Sequence, residues 1–130
     1  MKMDIEDDLK QLSTAIKEFK EKCSRRIDYW RGVIDQATRQ GQRMVIWGSG
    51  SKGVAFLTTL KLEDQIKYTV DINPYKQGRY MPGIGQKVIS PEFLKQYGPD
   101  KIVVMNPIYC REIQEELDHL DIKAELLAVS

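Results

Sequence analysis

Histidine and cysteine are scarce in this 130-residue sequence. His119 is the single histidine, and the two cysteines, Cys23 and Cys110, lie far apart with no C-x-x-C spacing. That shortage argues against a zinc site and against a disulfide framework, so no metal and a reduced, cytoplasmic setting are expected. The single histidine, His119, is poorly placed for a Ser/His/Asp set, and no paired-carboxylate site stands out. Asp7–Asp8 and Glu115–Glu116 read as solvated helix faces. No apolar run approaches the roughly 18 residues that span a bilayer, so no membrane partner is expected. The N-terminus "MKMDIEDDLK" is acidic and has no apolar h-region, unlike a signal peptide. Positive charge is not in excess either. Twenty Lys and Arg stand against 19 Asp and Glu, a formal net charge of +1, and a nucleic-acid footprint would need a basic surplus.

What is present suits one folded domain. Hydrophobic residues make up 42% and charged residues 30%, the composition of a soluble globular chain long enough for a real core. Two rhythms divide it. Residues 4–40 hold no proline and one glycine, Gly32. Apolar side chains recur there at Ile5, Leu9, Leu12, Ile16, Phe19, Cys23, Ile27, Trp30, Ile34 and Ala37, mostly in alternating steps of four and three that trace one helical stripe. Asp4 is placed as an N-cap, with Glu6, Asp7 and Asp8 in the first turn, and Gly41 as a stop. The expectation for residues 1–41 is one long helix, or two bent near Gly32. The stripe serves either pairing with another chain, as in a homodimer, or packing on this chain's own sheet.

Residues 42–130 alternate short strands and short helices. "MVIWG", "IKYTVDI", "KVIS", "KIVVMN" and "AELLAV" read as strands. "VAFLTTLKL", "SPEFLKQYG" (Ser cap, Pro at the first helical position, terminal Gly) and "REIQEELDHL" read as helices. "NPYKQGRYMPGIGQ" reads as a loop. This order predicts an α/β, Rossmann-like three-layer domain with a mostly parallel sheet, preceded by the long N-terminal helix.

The chemistry concentrates at the stretch "MVIWGSGSKGVAFL". Gly48, Gly50 and Gly53 have the spacing G-x-G-x-x-G between a strand and a helix. Gly48 permits the tight turn, Gly50 leaves room for a phosphate at the backbone, and Gly53 lets helix and strand pack closely. Free N–H groups at the helix start favour an anion. Ser49, Ser51 and Lys52 complete the turn, with Lys52 placed either to reach a phosphate or simply to face solvent. Asp71 follows Gly53 by 18 residues, at the end of the second strand, where an acid meets ribose hydroxyls in dinucleotide folds. The alternative is that the glycines only shape a turn. Two further clusters fall at the same edge. "DINPYKQGRYMPGIG" offers Asn73, Lys76, Gln77 and Arg79 with Tyr75 and Tyr80 for stacking, or is a loop pinned by its tyrosines. "MNPIYCREI" offers Asn106 as a ligand donor or a loop-satisfying amide. Cys110 near a helix start and His119 late in one read as structural.

Taken together, "VIWGSGSKGVAFL", "VDINPYKQGRYMPGIGQKVISPEFL" and "PDKIVVMNPIY" resemble the C-terminal domain of S-adenosylmethionine-dependent C-methyltransferases of the sugar-modifying type. The resemblance covers about Arg43 to Val129. It implies a Rossmann-like domain that helps hold a nucleotide-sugar, while S-adenosylmethionine and the chemistry belong to a separate upstream domain or partner. Those enzymes carry a zinc-binding N-terminal part and a methyl-donor domain that this chain lacks, so an excised domain or a small stand-alone protein is expected. A weaker similarity, glycine turn then aspartate then lysine-glycine loop, connects it to nucleotide-sugar-binding domains of bacterial sugar acyltransferases and dehydratases. The other open reading is an NAD(P)- or nucleotide-binding Rossmann module with a structural or regulatory role and no catalysis of its own.

Overall fold

The computed structural model describes residues 5–62, 64–81 and 85–129, with the side chains of 5 and 6 excepted. The Asp4 cap, the Glu6 side chain and residues 82–84 of the expected loop lie outside this set. Helix α1 runs unbroken from Ile5 to Arg39, straight through Gly32. It ends where Gly41 takes φ +69° and the Gln42 N–H closes on the Ala37 carbonyl at 2.9 Å.

Five strands follow: β1 Met44–Trp47, β2 Ile66–Val70, β3 Lys87–Ile89, β4 Lys101–Val104 and β5 Glu125–Ala128. They form one sheet in the order β3-β2-β1-β4-β5, every pair parallel. Helix α2 (Ser51–Thr59) joins β1 to β2, α3 (Leu94–Tyr97) lies between β3 and β4, and α4 (Cys110–His119) joins β4 to β5. Short 3₁₀ turns, Pro91–Phe93 and Pro107–Tyr109, lead into α3 and α4. Ser90 occupies the expected cap position, but its side chain makes no capping hydrogen bond. Pro91 and the left-handed Gly98 carry the start and stop instead.

Both faces of the sheet are covered, as period-2 side-chain alternation demands of a buried parallel sheet. On one face Met44, Ile46 and Val103 pack with Leu57 and Leu60 at α2 and with Trp30, Ile34 and Ala37 of α1. On the other, Val45, Ile102 and Val104 pack with Leu94, Ile113 and Leu117. The C-terminal third of α1 therefore shares the domain core, and Trp30 meets Phe56 edge to face at 5.5 Å. The N-terminal part does not. Leu9, Leu12, Ile16 and Phe19 are 47–68% exposed.

This order places the switch in chain direction between β1 and β4, because α2 leads one way from the centre and α4 the other. Ligands of open α/β sheets sit outside the carboxyl ends of the strands at that point.

Two helix glycines should respond in opposite ways to alanine. Nothing lies within 4 Å of a Cβ placed on Gly32, whereas one on Gly53 would collide with the Gly48 carbonyl oxygen. Thermal or urea unfolding should show Gly32→Ala stabilising by about 1 kcal/mol and Gly53→Ala destabilising by about 1–3 kcal/mol.

Candidate functional site

The site grows from the end of β1. The chain turns at Gly48, whose φ of +126° suits glycine. Its N–H donates to the Val70 carbonyl at 2.8 Å, fastening the turn to β2. Gly53 must lack a side chain because its α-carbon lies over the Gly48 carbonyl. Gly50 is different: a Cβ there would meet nothing within 4 Å. It is also the N-cap of α2, with extended backbone and no side-chain capping bond. The first intrahelical bond runs from Val54 N–H to the Gly50 carbonyl at 3.1 Å, so the N–H groups of Ser51, Lys52 and Gly53 have no acceptor within the helix.

These groups border a cavity of about 650 Å³, within the usual size of small-molecule sites. Gly48, Ser49, Gly50, Ser51, Lys52, Gly53, Asp71, Lys76 and Asn106 all line it. The structure thus brings together nine of the eleven residues singled out from sequence. Asn73 and Gln77 shape the loop instead. Asn73 Oδ1 accepts from the Tyr75 N–H at 3.0 Å, and Gln77 Nε2 donates to the Asp71 carbonyl at 2.8 Å. Asn106 has a structural duty as well, since its Oδ1 accepts from the Ile108 N–H at 3.2 Å and caps the 3₁₀ turn.

Asp71 is a latch. The Ser49 hydroxyl donates to its Oδ2, the Asn73 N–H donates to Oδ1 at 2.9 Å, and Lys76 Nζ stands 3.8 Å from Oδ2. Burial alone would raise this carboxyl's pKa. The Ser49 hydroxyl, the Asn73 N–H, the Lys76 charge and the Ser49 N–H together outweigh burial and hold it below the ordinary carboxylate range. Two positive residues, Lys52 and Lys76, and two negative ones, Asp71 and Glu112, line the cavity. Lys76 is committed to Asp71, while Lys52 makes no ion pair among the described residues. The attraction for an anion comes from Lys52 and the uncapped start of α2.

Sequence reasoning missed Trp47, Ile72, Met105, Tyr109 and Glu112 as lining residues. Tyr109 and Met105 stood in the stretch read around Asn106, and their place after a central strand was the available signal. Tyr80 and Arg79 do not line the cavity. Tyr80 bridges antiparallel to Lys87 and borders a separate hollow with Lys67 and Tyr68. Tyr75 is 83% exposed beyond the rim. Cys110 packs half-buried against the α4 side of the core, and His119 ends α4 at the surface. Among the described residues no cluster of three His, Cys, Asp or Glu is spaced to hold a metal ion, and no helix is long and apolar enough to cross a membrane.

A family model described as the C-methyltransferase C-terminal domain matches residues 2–127. The chain belongs to this family. A search of curated proteins gave no match. Among solved structures, this family member is similar to UDP-D-quinovosamine 4-dehydrogenase from Vibrio fischeri, with a TM-score of 0.51 and 19% identity over 68% of this chain and 78% of that one. It is also similar to RSP in complex with beta-NADH, with a TM-score of 0.46 and 17% identity over 74% of this chain and 59% of that one. At such identities the likeness to the dehydrogenase is one of fold.

The Asp71 latch sets a pH dependence. A carboxyl with a depressed folded pKa adds stability above its unfolded pKa of about 3.9 and loses it as pH falls through the folded value. Asp71→Asn should therefore melt below the parent at neutral pH. That difference should shrink as the pH is taken below about 4, as scanning calorimetry at several pH values would report.

Proposed function

We propose that this chain is a substrate-binding domain that holds a nucleotide-sugar for methyl transfer carried out elsewhere. The methyl donor, S-adenosylmethionine, belongs on an upstream domain or a partner, and the chain supplies no catalytic group of its own. The observation that carries this reading is Gly50. Packing does not require a glycine there, yet its open face lies in the cavity between Lys52 and the uncapped N–H groups of α2. A diphosphate approaching the backbone at that point meets donors and no side chain. Ile72 and Tyr109, both large and more than half exposed, flank the cavity with apolar surface suited to a nucleoside.

Membership of the C-methyltransferase C-terminal domain family supports the link to methyl transfer. The Asp71 latch weighs against the alternative, an NAD(P)-binding module. Both oxygens of Asp71 already accept from the chain's own donors, so a ribose diol there would compete with the Ser49 hydroxyl and the Asn73 N–H for the carboxylate's remaining acceptor capacity.

Nucleoside diphosphates and nucleotide-sugars at millimolar concentration should raise the melting temperature, because a ligand bound only by the folded state stabilises it. NADH should do so less. Lys52→Ala should leave the unliganded melting temperature unchanged and weaken binding by about tenfold, the loss of one charge-assisted hydrogen bond. Isothermal titration checks the affinity, and no shift with any of these ligands would sink the proposal.

A further inference from the structure

Lys52 stands between the crevice described above and a second hollow that the proposed function leaves unused. This is a groove of about 820 Å³ between α1 and α2, and Lys52 and Met105 line both it and the crevice of about 650 Å³. Its α1 wall is Lys22, Arg25, Arg26, Tyr29 and Trp30, spaced as one face of a helix. Its α2 wall includes Lys52 and, one turn on, Phe56. Met105 follows β4 and Val129 follows β5, so the groove opens at the carboxyl edge of the sheet, beside the glycine turn.

The two hollows differ in charge. The crevice sets Lys52 and Lys76 against Asp71 and Glu112. The groove is lined by four cations, Lys22, Arg25, Arg26 and Lys52, and by no carboxylate. The whole chain has a formal net charge of only +1, so this is a local concentration of positive charge. Glu18 and Glu21 stand one turn before Lys22 and Arg25 on α1, yet none of the groove's cations makes an ion pair among the described residues. A cleft lined by one sign of charge focuses its field on a ligand of the other sign. The groove also carries aromatic surface. Trp30 meets Tyr29 and Phe56 edge to face, each at 5.5 Å between ring centres, and such rings present flat apolar faces to the C–H side of a sugar.

We propose that the groove takes the sugar of a nucleotide-sugar, and that this sugar is an acid carrying a carboxylate. The inference rests on the nucleotide-sugar reading of the site and narrows it. With the diphosphate at Gly50 and Lys52 and the nucleoside towards Ile72 and Tyr109, the sugar leaves on the other side of Lys52, where the groove begins. Its ring lies against the aromatic surface, and its carboxylate faces Arg25 and Arg26, whose guanidinium forks match a carboxylate. A neutral sugar would leave these cations without an anion.

Isothermal titration with UDP, UDP-glucose and UDP-glucuronate tests this, because the two sugars differ by one carboxylate. The parent should bind UDP-glucuronate about tenfold more tightly than UDP-glucose, the gain of one charge-assisted hydrogen bond. Arg25→Gln with Arg26→Gln should erase that preference. Lys10→Gln with Lys17→Gln removes the same charge from α1 outside the groove and should keep it. All four positions are exposed, and circular dichroism checks that each variant folds. UDP-glucose binding as tightly as UDP-glucuronate would overturn the inference and leave the nucleotide-sugar reading standing. A preference that survives the loss of both arginines, or that disappears with Lys10 and Lys17, would do the same. Failure of all three ligands to bind would overturn the inference together with the reading it rests on.

Discussion

The carboxyl edge of the sheet depends on the close approach of α2 to the end of β1. Gly53 lies over the Gly48 carbonyl, where no side chain fits, and the Gly48 N–H is bonded to Val70. These two contacts fix where α2 begins. Its uncapped first turn consequently opens onto the crevice between β1 and β4, not onto the flank of the sheet. Displacing α2 by the width of one methyl group would also displace the Ser49 hydroxyl from Asp71, and with it the tie between the glycine turn and the loop after β2.

That tie gives the edge its second layer of order. Asp71 gathers Ser49, the Asn73 N–H and Lys76, while Gln77 holds the Asp71 carbonyl and Asn73 holds the Tyr75 N–H. A loop that lacks regular structure is thereby pinned by its own polar side chains. A group that in dinucleotide folds is offered outward is engaged by the chain's own donors here, while Lys52 and the first N–H groups of α2 face the cavity as donors. The lining also carries Ser51, Tyr109 and Glu112 beside its apolar residues. Such a surface suits binding and orientation.

Much of the fold was legible in local pattern. Strand and helix alternation identified a parallel sheet, Gly41 and Gly98 marked helix ends, and the glycine triplet marked the turn. Local pattern failed where partners come from distant residues. Met105, Tyr109 and Glu112 enter the site because β4 pairs with β1 across more than fifty residues of chain. No period in the sequence reports that pairing. Tyr80 was grouped with the site because it follows the same strand, but its backbone pairs with Lys87 and it borders a separate hollow with Lys67 and Tyr68. Ser90 was read as a cap from its residue type, yet Pro91 already sets the turn without it.

The sequence by itself determined that the α1 segment is helical with one apolar face, since periodicity and the absence of proline suffice for that, while the structure decided that the helix runs unbroken through Gly32. The sequence also determined that a glycine turn joins strand to helix, because both are properties of neighbouring residues. Only the tertiary structure decided that this apolar face is buried from Trp30 onward, half-buried at Cys23 and Ile27, and bare from Leu9 to Phe19. It also separated the three glycines into one needed for backbone conformation, one for packing and one for neither. Burial depends on which distant segments meet: Ser49 reaches Asp71 because β1 pairs with β2, and Trp30 reaches Phe56 because α1 and α2 share one face of the sheet.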